Sequence, residues 1–170
     1  MNRVLAVIGF GNELRGDDAI GIAVVNSVRE ILERNDDPRL RRGALTIAAA
    51  PTLDVGWTEE LADCSAIILV DAWESEQGAS DSERQLLVQE VQTAAIVPSL
   101  TSHVSSPETL ASLIEALYGR RPEITLVAVP GENFELREGI SPRGEAFVGL
   151  AVDAVVALIN SIIPVDSDQR

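Results

Sequence analysis

The residues best suited to chemistry in this chain are two adjacent carboxylates, Asp17 and Asp18, that follow a glycine-rich turn. The stretch reads VIGFGNELRGDDAIG and spans residues 7–21. A phosphate site at such a turn would use free N–H groups or positive charge. Carboxylates suit a metal ion, another cation or a proton transfer. Either acid would equally serve as a cap for the helix that follows, because negative charge stabilises a helix N-terminus.

Two further polar side chains are predicted at the same edge of a sheet. Asp71 ends the apolar run AIILVD, and His103 lies in the loop SLTSHVSSP. In open α/β sheets, ligands bind in the crevice beyond the carboxyl ends of the strands. Two carboxylates and an imidazole are donors that nickel or zinc accepts. Each residue also has an ordinary explanation, since Asp71 would suit a turn and His103 an exposed loop.

The glycine turn does not match a dinucleotide-binding site. Leu14 occupies the third glycine position of the GxGxxG pattern, and no acidic residue ends the second apolar run, LTIAAA. The glycines are therefore expected to bend the chain sharply after the strand. Gly11, Asn12 and Asp17 remain as candidate substrate contacts, with the Asn12 amide suited to ordering a bound peptide.

The composition is that of a globular protein and excludes several classes of function. The net charge of −14 argues against sequence-independent binding of nucleic acid. All 13 basic residues are arginine, which excludes a Walker-A lysine and a Schiff-base lysine. One cysteine, Cys64, and one histidine exclude a disulfide framework and a zincin motif. Cys64 is expected to be structural.

The location and assembly of the chain are also open to prediction. We find no secretory signal and no continuous apolar stretch of about 18 or more residues, so we expect no membrane span. A single thiol fits a reducing compartment. We therefore predict a cytoplasmic protein, and we predict a monomer because the sequence shows no seam for self-association.

The order of apolar segments predicts an α/β fold. Continuous apolar runs indicate buried strands, and one alternating run indicates an edge strand. The predicted strands are 3–9, 44–49, 66–71 and 124–129, with the edge strand at 85–91. One helix is predicted from residue 18 to 34. A second begins after the Ser-Pro pair at 106–107 and ends at Gly119, and a third begins at Ser141. Residues 72–83 are predicted to form a loop. This alternation favours a mostly parallel sheet with helices on both faces, in a single domain spanning 1–170.

Three segments, in this order, resemble the hydrogenase maturation proteases. They are VLAVIGFGNELRGDDAIGIAVV, AIILVDAW, and LTSHVSSPETLASLIEALYGRRPEITLVAV with EGISP after it. The resemblance implies a three-layer αβα sandwich with a mostly parallel, five-stranded sheet. It implies an endopeptidase that removes the C-terminal extension of the [NiFe] hydrogenase large-subunit precursor after nickel insertion. It also implies that Asp18, Asp71 and His103 bind the nickel carried by that substrate, with no organic cofactor.

The expected chemistry is hydrolysis by water. No serine or cysteine with an activating base is evident, so Asp18 or Asp71 would accept the proton of the attacking water. A metal near the scissile bond would polarise the carbonyl, or would serve only for recognition. Two other functions stay open at this point. One is a non-catalytic metallocentre-binding chaperone that uses the same three residues, and the other is an α/β enzyme whose glycine turn binds an anion.

Overall fold

The computed structural model describes residues 4–74, 85–93 and 106–165. A five-stranded sheet with strand order β2-β1-β3-β5-β4 lies at its centre. The strands are β1 Leu5–Phe10, β2 Leu45–Ala50, β3 Ala66–Glu74, β4 Leu87–Glu90 and β5 Glu123–Gly131. Only β4 is antiparallel to its neighbour, and it lies at the edge of the sheet. The predicted mostly parallel, five-stranded sheet is therefore confirmed.

Helices cover both faces of the sheet. They are α1 Ile20–Arg34, α2 Pro38–Arg41, α3 Trp57–Leu61, α4 Pro107–Tyr118 and α5 Pro142–Ile162. The first and last of these pack together on one face, and α3 and α4 pack on the other. The fold is the three-layer αβα sandwich that was predicted.

The central strand β1, LAVIGF, is apolar along its length because both of its faces are buried. In β1, Leu5 and Val7 point into the core beneath α1 and α5, whereas Ala6 and Ile8 point into the core beneath α3 and α4. All four are at most 3% exposed. The continuous apolar run follows directly from this two-sided burial.

Strand β3 extends three residues further than predicted. Its pairing with β1 ends at Val70, opposite Gly9, but its pairing with β5 continues to Glu74, opposite Gly131. Trp73 and Glu74 belong to the segment predicted as an acidic loop, yet they pair with β5. The remainder of the predicted loop at 72–83 lies outside the described residues.

Helix α5 bears on the expectation that this chain has no membrane span. Within the described residues it is the one helix that is long and apolar enough to cross a membrane, with 21 residues and a mean hydropathy of 1.8. Its mean hydropathy is high although polar residues such as Asp153 interrupt its sequence. Val148, Val155 and Ile159 lie in the core against the sheet. Because a core helix passes the same test of length and composition, this is weak evidence for a span.

Two glycines provide a matched pair of substitutions. Gly119 ends α4 with a φ of 64°, whereas Gly149 lies within α5, and an added Cβ at either position meets no atom within 4 Å. We expect Gly119→Ala to lower the free energy of unfolding by about 1 kcal/mol, because alanine disfavours the left-handed conformation. We expect Gly149→Ala to raise it by about 0.5 to 1 kcal/mol. Urea denaturation measures both, and changes of the same sign would contradict the prediction.

Candidate functional site

The candidate site lies where the connections of the sheet change direction. The chain passes from β1 to β2 on one side, and then crosses to β3 on the other side of β1. Such a switch point opens a crevice beyond the carboxyl ends of the two central strands. Asp18 follows β1, and Asp71 lies in β3 just beyond the last pair with β1. The two predicted carboxylates therefore lie at the same edge of the sheet.

The environment of Asp71 shows that the two carboxylates are neighbours. Burial raises the pKa of Asp71 from 3.8 to about 7. The N–H of Ala72 donates to Asp71 Oδ1 at 2.8 Å and opposes this shift, while the negative charge of Asp18 adds to it. A carboxyl group that titrates near neutral pH beside a second carboxylate is suited to bind a cation or to exchange a proton.

The turn after β1 brings Asp18 back to the end of that strand. Asp18 Oδ2 accepts the N–H of Asn12 at 3.0 Å, and Asn12 Oδ1 accepts the N–H of Leu14 at 3.0 Å. Gly11 has a φ of 145°, and a Cβ there would lie 1.7 Å from the carbonyl oxygen of Asp18. Only glycine permits this close return of the chain.

Gly11 and Asn12 differ in their access to a substrate. Gly11 is buried, and its requirement for glycine comes from the backbone of Asp18, so its contact with a substrate stays a prediction. Asn12 is exposed beside Asp18. Its contact with a substrate stays a prediction.

Asp17 was predicted to contact the substrate, but its carboxylate lies in the interior of the protein. Its side chain is fully buried. The carboxylate accepts four hydrogen bonds, from the N–H groups of Glu132 (2.8 Å), Asn133 (3.1 Å) and Ser141 (2.6 Å) and from the Ser141 hydroxyl (2.9 Å). Burial raises the pKa of Asp17, but these hydrogen bonds outweigh burial and hold the pKa below its usual value. A substrate contact does not fit this carboxylate, which instead ties residues 132–141 to the turn.

Sequence reasoning did not single out the segment 132–141, which adjoins the turn that carries Asp18. With β3 and the turn it forms an open pocket of about 320 Å³, lined by Arg15, Glu74, Glu132, Asn133, Phe134 and Glu135. Arg15 Nε donates to the carbonyl oxygen of Phe134 at 3.2 Å. The one signal for this segment in the sequence was the EGISP motif within the family resemblance.

The third predicted ligand, His103, lies outside the described residues. Among the residues at 4–74, 85–93 and 106–165, no group of three or more His, Cys, Asp and Glu side chains is placed to hold a metal ion. The described part of the site thus consists of the Asp18–Asp71 pair, and the role of His103 stays a prediction.

Cys64 lies away from this pair. It precedes β3, whereas Asp71 lies towards the other end of that strand. Burial raises the pKa of the Cys64 thiol, and the charge of Asp63 raises it further. A protonated thiol at the opposite edge of the sheet is consistent with the structural role predicted for it.

The similarity of this chain to known proteins extends over nearly its whole length. No family model matches the chain. It is 28% identical over 160 residues to the hydrogenase 2 maturation protease of Escherichia coli strain K12, across 91% of this chain and 90% of that protein. The solution structure of an endopeptidase from Escherichia coli matches with a TM-score of 0.63 and 27% identity, over 93% of both chains. The chain resembles the hydrogenase maturation proteases.

A further solved structure shares the fold. The hydrogenase maturating endopeptidase HybD from Escherichia coli matches with a TM-score of 0.63 and 24% identity, over 93% of both chains. This structure shows the fold. The predicted resemblance is confirmed, and the naming of the relatives as a protease and an endopeptidase supports the predicted hydrolase of the peptidase class.

Proposed function

We propose that this chain is the endopeptidase that removes the C-terminal extension of a [NiFe] hydrogenase large-subunit precursor after nickel insertion. The observation that carries the proposal is the convergence of Asp18 and Asp71 at the switch point of the sheet, where burial and the charge of Asp18 raise the pKa of Asp71 to about 7. The similarity to proteins named as hydrogenase maturation proteases supports the choice of substrate.

The nickel that arrives with the precursor would be bound by Asp18, Asp71 and His103. A proton held by Asp71 would be released when a divalent cation binds, because metal ligands must be deprotonated. An imidazole adds a donor that nickel accepts readily. Binding through the substrate's own metal would restrict cleavage to precursors that have already received nickel.

The same pair would serve the hydrolysis. Water attacks the scissile carbonyl carbon, and Asp71 or Asp18 accepts a proton from that water. The C–N bond then breaks, and the proton passes to the nitrogen of the leaving amine. A base is most effective when its pKa lies near the working pH, and burial brings the pKa of Asp71 to about 7 in the chain without nickel. The described residues include no histidine, so no Ser–His pair lies among them.

The direct test is cleavage of a nickel-loaded large-subunit precursor by the purified chain, followed by intact-mass spectrometry. We expect the loss of one defined C-terminal segment, none with nickel-free precursor and none with His103→Ala. An intact precursor that binds through its nickel would instead indicate the non-catalytic chaperone. Absence of both binding and cleavage would overturn the choice of partner. A cytoplasmic location and a monomeric state stay predictions.

A further inference from the structure

Two exposed leucines lie beside the candidate site on loops that pair with each other. Leu14 is 57% exposed and Leu136 is 84% exposed. The N–H of Arg137 donates to the carbonyl oxygen of Leu14 at 2.9 Å, and the N–H of Gly16 donates to the carbonyl oxygen of Arg137 at 3.0 Å. These backbone bonds hold the two leucine-bearing loops side by side.

The paired loops are anchored from the interior. The buried carboxylate of Asp17 holds both ends of the 132–141 segment, at Glu132 and at Ser141. The N–H of Asp17 also donates to the carbonyl oxygen of Asn133 at 2.8 Å. An apolar surface on a fixed backbone loses little conformational freedom when a partner binds, which makes its contribution to affinity larger.

We propose that Leu14 and Leu136 form a docking surface for the substrate protein beside the peptide that is cut. The proposal rests on the proposed function. Leu14 lies between Asn12 and Asp18 in the turn that carries the site. A protein whose peptide reaches Asp18 would therefore lie next to these loops. A second copy of this chain bound to the same leucines would cover the site. Because the leucines adjoin the site, we favour the substrate as the partner that binds them.

The test compares Leu14→Ser and Leu136→Ser with the matched control Leu117→Ser. Leu117 is 58% exposed, but it lies at the end of α4, which leads into the opposite end of β5. With nickel-loaded precursor, we expect each docking variant to raise the Kd roughly tenfold, since an exposed interface leucine contributes at that scale. The rise should appear in the KM for cleavage. The control should stay within about twofold of the wild type.

Each alternative outcome overturns a distinct statement. If the wild-type chain neither binds nor cleaves the precursor, the proposed function fails and the docking surface fails with it. If the wild type cleaves and the docking variants match it, only the docking surface is wrong. An equal loss in Leu117→Ser would show a general effect of exposed serine. If sedimentation shows that Leu136→Ser dissociates a dimer while precursor binding is unchanged, the surface joins two copies of this chain instead.

Discussion

Replacing Asp71 with asparagine is expected to lower cleavage at least about a hundredfold and to make the free protein more stable near pH 8. The loss of activity follows because the amide neither accepts a proton nor provides a negative ligand. The fold should be retained, since an asparagine Oδ1 can still accept the N–H of Ala72.

The gain in stability follows from the sign of the pKa shift. Asp71 has a higher pKa in the folded protein than its ordinary 3.8. The folded state therefore binds this proton more tightly, and the stability of the protein falls as the pH rises from about 4 to about 7. Above that range the folded protein carries a partly buried charge, which asparagine removes. We expect a gain of about 1 to 2 kcal/mol near pH 8 and almost none near pH 4.

Urea denaturation at both pH values and the precursor assay test this prediction together. Asp153→Asn is the matched control, because it removes an exposed carboxylate from α5 and should change neither property. Asp18→Asn should lower the pKa of Asp71, as followed by carboxyl NMR, because it removes a neighbouring negative charge. Full cleavage by Asp71→Asn, or equal stability at both pH values, would contradict the assignment.

The second large effect is expected for Asp17→Asn, which should lower the free energy of unfolding by about 3 kcal/mol near neutral pH. The carboxylate accepts four hydrogen bonds, and an amide would direct its own N–H groups at some of those donors. The side chain has no room to turn away. A Cβ added to Gly131 would lie 2.7 Å from Asp17 Cβ, and one added to Gly144 would lie 2.8 Å from Asp17 Oδ1.

The pH dependence of this effect has the opposite sign from that of Asp71. The hydrogen bonds hold the pKa of Asp17 below 3.8 in the folded protein. Its contribution to stability is therefore present above about pH 4 and is lost as the pH falls below that value. The difference between wild type and Asp17→Asn should shrink in the same range.

A double-mutant cycle with Ser141→Ala separates the hydrogen-bond network from a general loss of packing. Ser141 donates to Asp17 through its N–H and its hydroxyl, and the same hydroxyl caps α5 by accepting the N–H of Gly144. We expect the two substitutions to be non-additive, because they remove shared bonds. Additive losses measured by urea denaturation would contradict the network.

Much of the fold was predictable because its signals are local. Two-sided burial makes the central strands continuously apolar, and Ser106, Gly119 and Ser141 mark the helix ends where the structure places them. The extension of β3 was not predictable. Trp73 and Glu74 join the strand only because residues of β5, more than fifty positions later in the chain, supply their partners.

The candidate site also has one part that could be predicted from the sequence and one part that could not. The convergence of Asp18 and Asp71 follows from the rule that parallel strands end at one edge of a sheet. Asp17 was misassigned because two adjacent acids look alike in a sequence, whereas successive side chains in a helical turn point in different directions. One acid therefore faces the interior and the other the crevice. The partners of Asp17 lie 115 to 124 residues away and leave no local trace.

That separation has a consequence for biosynthesis. A nascent chain carries both Asp18 and Asp71 long before Ser141 has been made, and Ser141 is the last residue that holds the turn through Asp17. The ribosome must therefore translate past Ser141, and further to clear its exit tunnel, before the turn can be anchored. A translation product that stops short of Ser141 would bear both acids without the support that positions them.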